Sequence, residues 1–153
     1  MPKAVQSNAQ LLTATELEAR LGEFYRAVNE FNDGYYFESH ETLEELWMVT
    51  PWPERDFFQA IIQMAAAFVH FARGEFPGIL KLLDASTSKL EASPSARFGV
   101  DISKLVAGLR QARDEISSLG PDRLREFDER KVPKVSLEAA HPRRRTRSSL
   151  IPI

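Results

Sequence analysis

The chain reads as an all-α protein: one compact bundle of five to six helices, mostly antiparallel to their neighbours, around a central buried helix at about residues 54–73. Three observations predict this. Apolar residues recur at spacings of three and four over most of residues 13–130. No alternating strand pattern of useful length occurs. Gly- and Pro-containing breaks between the periodic segments are short, which favours antiparallel neighbours.

Residues 1–12 carry no apolar period and are read as a flexible N-terminus. The first helix starts at Thr13 or Thr15, because Thr13 and Glu16, like Thr15 and Glu18, fit a capping box. It continues through Leu17, Leu21, Phe24, Tyr25, Val28 and Phe31 to the turn Asn32-Asp33-Gly34. The second helix, Tyr35 to Val49, stops at Thr50-Pro51-Trp52-Pro53, since proline disfavours helix at the residue before it. The third, Glu54 to Arg73, is apolar almost all round, as a helix packed on several sides must be. A fourth spans Pro77 to Glu91. The fifth begins after Asp101 as N-cap and carries Ile102, Leu105, Val106, Leu109, Ala112, Ile116 and Leu119. A short sixth is expected over Asp122 to Arg130. The helical domain is thus 13–130. Residues 131–153 form a basic, largely disordered C-terminal tail, whose first residues, 131–136, are read as extended and packed on the body.

Composition bounds the function. The 153 residues are 43% hydrophobic and 27% charged, as in ordinary globular domains. With no cysteine, disulfides and thiolate metal sites are excluded. There is no apolar run of about 20 residues to span a membrane and no export signal, so a cytoplasmic location is expected. The net charge of −2 is uneven: residues 131–153 carry +5 and residues 1–130 carry −7. An acidic body does not suit nucleic-acid binding. The Arg143–Arg147 cluster is read either as a solvated tail or as a tether to nucleic acid or another acidic partner.

The chemistry is expected on the second and third helices. Tyr36, Phe37, Leu43 and Trp47 share a face that also contains His40 and Glu44, with Glu38, Thr42 and Glu45 pointing away. The third helix carries a polar line, Gln59, Gln63 and His70, interrupted by Ala66. Ionisable groups on a burying face are costly unless paired or bound. His40, Glu41, Glu44, Gln59, Gln63 and His70 therefore form either a closed hydrogen-bond network or a binding site, with Glu38 and Trp47 beside it. As a metal site it would use His40, Glu44 and His70 for a divalent ion, with Glu41 as base or further ligand; as acid/base machinery it would use the His40–Glu44 pair, and Glu41 and His40 are the catalytic candidates. A di-iron pattern is excluded because Phe37 and Ala67 stand three residues before the histidines; the literal match Glu138…His141 falls in the tail. Trp47 and Trp52 are read as core and core-edge anchors, with the Pro51-Trp52-Pro53 corner as a partner-binding knob in the other reading. Two functions stay open: a binding or scaffold module for a protein partner, a second copy or a small ligand, and a metal-dependent or acid/base hydrolase.

Phe31, Asn32, Gly34, Tyr36, Phe37, Glu38, His40, Glu41, Leu43, Glu44 and Trp47 also resemble the hallmark of the small helical proteins called the domain of unknown function 309 family. A second block matches at Phe57, Gln59, Ile62, Gln63, Ala65, Ala66, Ala67, His70 and Gly74, and Phe98-Gly99-Val100-Asp101 is similar too, so the resemblance runs over about residues 24–110. Ala60 stands where that family usually has Gly and Glu75 where it usually has Asn; neither is expected to touch His40, Glu44 or His70. The resemblance implies an all-α bundle and a cytoplasmic protein. It implies no particular activity or substrate.

Overall fold

A computed structural model of the chain describes residues 10–94 and 96–137. Six α-helices follow in order: α1 (Ala14–Ala19), α2 (Leu21–Asn32), α3 (Tyr36–Met48), α4 (Glu54–Ala72), α5 (Ile79–Glu91) and α6 (Ile102–Leu119). A two-residue hairpin, β1 (Ala96–Arg97) and β2 (Val100–Asp101), precedes α6, and two 3-10 turns, Pro121–Glu126 and Glu129–Lys131, follow it. Each of α2 to α5 packs on the next in sequence, and α5 packs on α6. The all-α class therefore holds, with α4 held between α3 and α5.

The capping box at Thr13 forms as expected: its hydroxyl accepts from the Glu16 N–H at 3.1 Å, and the Glu16 carboxylate accepts from the Thr13 N–H at 2.9 Å. The first helix is not continuous, however. Arg20 leaves helical geometry (φ −106°, ψ 6°) and separates α1 from α2, with Gly22 just beyond, a residue that weakens helix. The apolar period passes through this break unchanged, so periodicity does not reveal it. Just before α1, the Leu12 N–H donates to the Val49 carbonyl at 2.9 Å, fastening the chain start to the end of α3.

The core centres on α4, where Phe57, Phe58, Ile61, Met64, Ala65, Ala67 and Phe68 are fully buried. Phe24, Phe57, Phe58 and Phe98 form an aromatic cluster with ring centroids 5.4–5.9 Å apart. Phe98 occupies the left-handed region (φ 53°) in the hairpin turn, and its carbonyl accepts from the Tyr25 hydroxyl at 2.9 Å. That bond and the packed ring offset a conformation that L-residues avoid. Two buried serines tie helix to helix. Ser39 of α3 donates to the Ala27 carbonyl of α2, and Ser86 of α5 donates to the Ala60 carbonyl of α4, both at 2.7 Å. Small residues at these contacts let the helix axes approach closely.

The sixth helix expected over Asp122–Arg130 is replaced by the two 3-10 turns. Arg123 leaves helical geometry, and the Asp128 carboxylate caps the Arg130 N–H at 2.9 Å, a local bond that competes with helix. Leu124 and Phe127 still reach the core. The segment read as extended and packed on the body, 131–136, does pack there, and the packed body runs on to Leu137. Val132 and Val135 are buried, Asp101 N–H donates to the Ser136 carbonyl, and Leu137 bridges to Val100. The Asn32 side chain clamps this segment from both sides: Nδ2 donates to the Val135 carbonyl at 3.0 Å, and Oδ1 accepts from the Val135 N–H at 2.8 Å. Gly108 gives it room, since a Cβ there would lie 2.9 Å from Pro133 Cβ. Residues 1–9 and the Arg143–Arg147 cluster, with Glu138 and His141, lie outside the described residues.

Candidate functional site

The buried face of α3 is Tyr36, Ser39, Leu43, Leu46 and Trp47. It is rotated from the face read in the sequence. Phe37 is 49% exposed, whereas Ser39 is buried because its hydroxyl has the Ala27 carbonyl as partner. His40 and Glu44 consequently sit half-buried on the border of the helix interface, not inside it. Gln59, Gln63, Ala66 and His70 on α4 are likewise half-buried. The Arg55 guanidinium lies 4.2 Å over the Trp47 ring, and Arg73 lies 6.0 Å from the Phe37 ring centre. These contacts join the end of α3 to the start of α4 and the reverse, so the helices are antiparallel. The two polar lines run along one seam.

On this seam His40, Glu41 and Glu44 each offer one ligand atom, and the three atoms lie within 4.8 Å of one another. His40 has a quarter of its side chain exposed, and its Nδ1 lies 3.5 Å from a Glu41 carboxylate oxygen. Among the described residues, His40 Nδ1 and Gln63 Oε1 are shielded from solvent without a hydrogen-bond partner. The Phe37 ring lies 6.2 Å from the His40 ring and covers one side of it.

His70 does not join this group. Its Nδ1 lies 2.9 Å from Glu75 Oε1, at the C-terminal end of α4. The set His40, Glu44 and His70 is thus not assembled, and Glu41 stands where His70 was expected. Glu75 does touch the histidine set, contrary to expectation. Ala60 is fully buried, with its carbonyl engaged by Ser86. Glu38 is exposed on the outer side of α3, and Trp47 is buried as a core anchor. Trp52 is 74% exposed and is no core-edge anchor, since the Pro51–Pro53 corner carries it outward.

Sequence reasoning missed a second concave region. A cavity of about 360 Å³ opens at the α2–α3 turn and is lined by Asn32, Gly34, Tyr36, Glu129, Arg130 and Lys134, among others. The Tyr36 hydroxyl donates to Glu129 Oε2 at 3.4 Å. Burial first, and then the Glu129 carboxylate, push the Tyr36 phenol up to about 12. Asn32, Gly34 and Tyr36 all belong to the hallmark segment, which was the available signal. Their partners at 129–134 were not recognisable as partners.

A family model described as a domain of unknown function (DUF309) matches residues 24–82, which supports assignment of the chain to that family. The matched stretch runs from within α2 through the first turn of α5 and holds every residue of the seam, and it ends before Phe98 and the Asn32-bound segment. No curated protein matches the chain. No helix among the described residues is long and apolar enough to cross a membrane.

Proposed function

Taking as premise a family whose description states no activity, we propose that the protein is a helical binding module that holds a divalent cation at the His40–Glu41–Glu44 edge of α3. The observation that carries this reading is the gathering of three ligand atoms within 4.8 Å along one edge of α3. Residues 40 and 44 are one helical turn apart, so they can grip an ion from one side. Ligands around a tetrahedral zinc ion with bonds of about 2.0–2.2 Å stand roughly 3.3–3.6 Å apart. Side-chain rotation by the two glutamates closes that difference. The shielded His40 Nδ1 supplies the nitrogen donor.

A metal-dependent hydrolase is the second reading. It is favoured by the ligand number, since three protein ligands leave a position open for water, as catalytic sites do. Glu41, used as a ligand, would then not serve as base. His70, held by Glu75, has no part in either reading. A cysteine-free chain suits a cytoplasmic setting.

The test is calorimetric titration of tag-free protein with zinc and manganese. One ion should bind per chain, with affinity lost in His40→Ala, at least tenfold weaker in Glu44→Gln and unchanged in His70→Ala. No binding, or binding indifferent to His40→Ala, overturns the reading.

A further inference from the structure

Most arginines of the described chain are neutralised by a carboxylate, as Arg97 is by Glu54 and Arg113 by Asp84, both at 2.9 Å. Arg73 and Arg125 are not: among the described residues neither makes an ion pair. Both line one cavity of about 480 Å³, between the end of α4 and the 3-10 turn Pro121–Glu126. Its apolar wall is Phe71, Leu124 and Phe127. Leu124 and Phe127 are buried, and the Phe71 and Phe127 rings meet edge to face at 5.4 Å.

Arg73 is the C-cap of α4, a place where a cation often serves the last helix carbonyls. Here main-chain N–H groups already serve them. Arg73 N–H donates to the Val69 and His70 carbonyls, Gly74 N–H to Phe71, and Glu75 N–H to His70. The Arg73 guanidinium is therefore not engaged in capping. Glu129 also lines the cavity, and the helix end carries partial negative charge. Two guanidinium groups against one carboxylate leave one positive charge over, which suits a monoanion better than a phosphate dianion.

The geometry points to a binding site for a small organic monocarboxylate with an apolar body. Arg73 and Arg125 hold its carboxylate, and Phe71, Leu124 and Phe127 take its body. Guanidinium groups bind carboxylates through paired N–H donors, and an aromatic wall takes an aryl or branched alkyl group. The inference does not rest on the cation reading, because His40, Glu41 and Glu44 line no part of this cavity.

The test is titration of the isotope-labelled full chain with sodium phenylacetate at constant ionic strength, followed by amide shifts. Amides of residues 72–74 and 124–129 should move saturably, with a dissociation constant of about 1 mM or below. Affinity should fall about fivefold or more in Arg73→Gln and in Arg125→Gln, and stay unchanged in Arg113→Gln. Both arginines are exposed, so the substitutions leave the core intact. Neutral phenylacetamide, acetate and inorganic phosphate should each bind about fivefold more weakly or less. Shifts that do not saturate, that centre on other residues, or that survive both substitutions overturn the proposal. So does phenylacetamide matching phenylacetate, which would leave the arginines without a role. Acetate or phosphate matching phenylacetate overturns it too, since that would mean general anion attraction.

Discussion

Asn32→Ala removes a clamp that spans 103 positions in sequence. Two bonds are lost, at 3.0 and 2.8 Å, and both leave a Val135 main-chain group unpaired in a buried segment. A net hydrogen bond contributes about 1 kcal/mol, and an orphaned buried group costs about 1–3 kcal/mol. Two such groups set a cost of roughly 2–6 kcal/mol. The segment has an escape, which is to detach. That would expose Val132 and Val135, at about 1.5–3 kcal/mol each, but regain roughly 1–2 kcal/mol of chain entropy per freed residue. Because these two terms are of similar size, detachment holds the cost to the lower part of that range. Urea unfolding should show the loss, with Tm lower by roughly 5–15 °C for a chain of this size. Lys134→Ala is the control. Its ammonium contacts the Asn32 carbonyl from an exposed position, so its removal should change stability by less than about 0.5 kcal/mol. The reasoning fails if Asn32→Ala costs under 0.5 kcal/mol while the Val135 amide stays protected from exchange.

Two further outcomes follow from the same region. Gly108→Ala should destabilise by about 1–3 kcal/mol in thermal melts, because the added methyl meets the rigid Pro133 ring; unchanged stability would mean that the 132–135 segment lies farther from α6. Phenolate absorbance should show one of the three tyrosines titrating near 12, with Tyr36→Phe removing that step. The folded state then keeps a proton that the unfolded chain loses near 10. The Tyr36 contribution to stability is complete below pH 10 and is lost as pH rises towards 12. Glu129→Gln should lower this value yet leave it above 10, since burial is the larger cause; three tyrosines titrating together near 10 would contradict the burial.

What the sequence made legible was local. Thr13 with Glu16 and Asp101 before Ile102 announce their caps within three residues, and both form. The apolar coat of α4 announced a helix packed on several sides. The face of α3 was misread because hydrophobicity stood in for burial. Ser39 is inside on the strength of a main-chain partner contributed by another helix, and Phe37 is left half outside near Arg73. The polar cluster was placed on the right two helices, but its membership depended on side-chain direction. Glu75 lies five residues from His70, just past the helix end, and pairs with it. The Asn32–Val135 clamp had no local signature at all, and the family match ends far short of it.

The serine bonds at Ala27 and Ala60 constrain how this chain can change by mutation. The acceptor in each is a main-chain carbonyl, which no substitution deletes. The burden falls on Ser39 and Ser86, and on the smallness of their neighbours. A saturation library should show a one-sided pattern: at 39 and 86 only small residues survive, with serine best, while 27 and 60 accept glycine or alanine and little else. A swap of partners between the two positions cannot restore either contact, because a carbonyl cannot become the donor. The genetic rescue that usually reveals touching residues would be silent at both serine-bridged helix contacts.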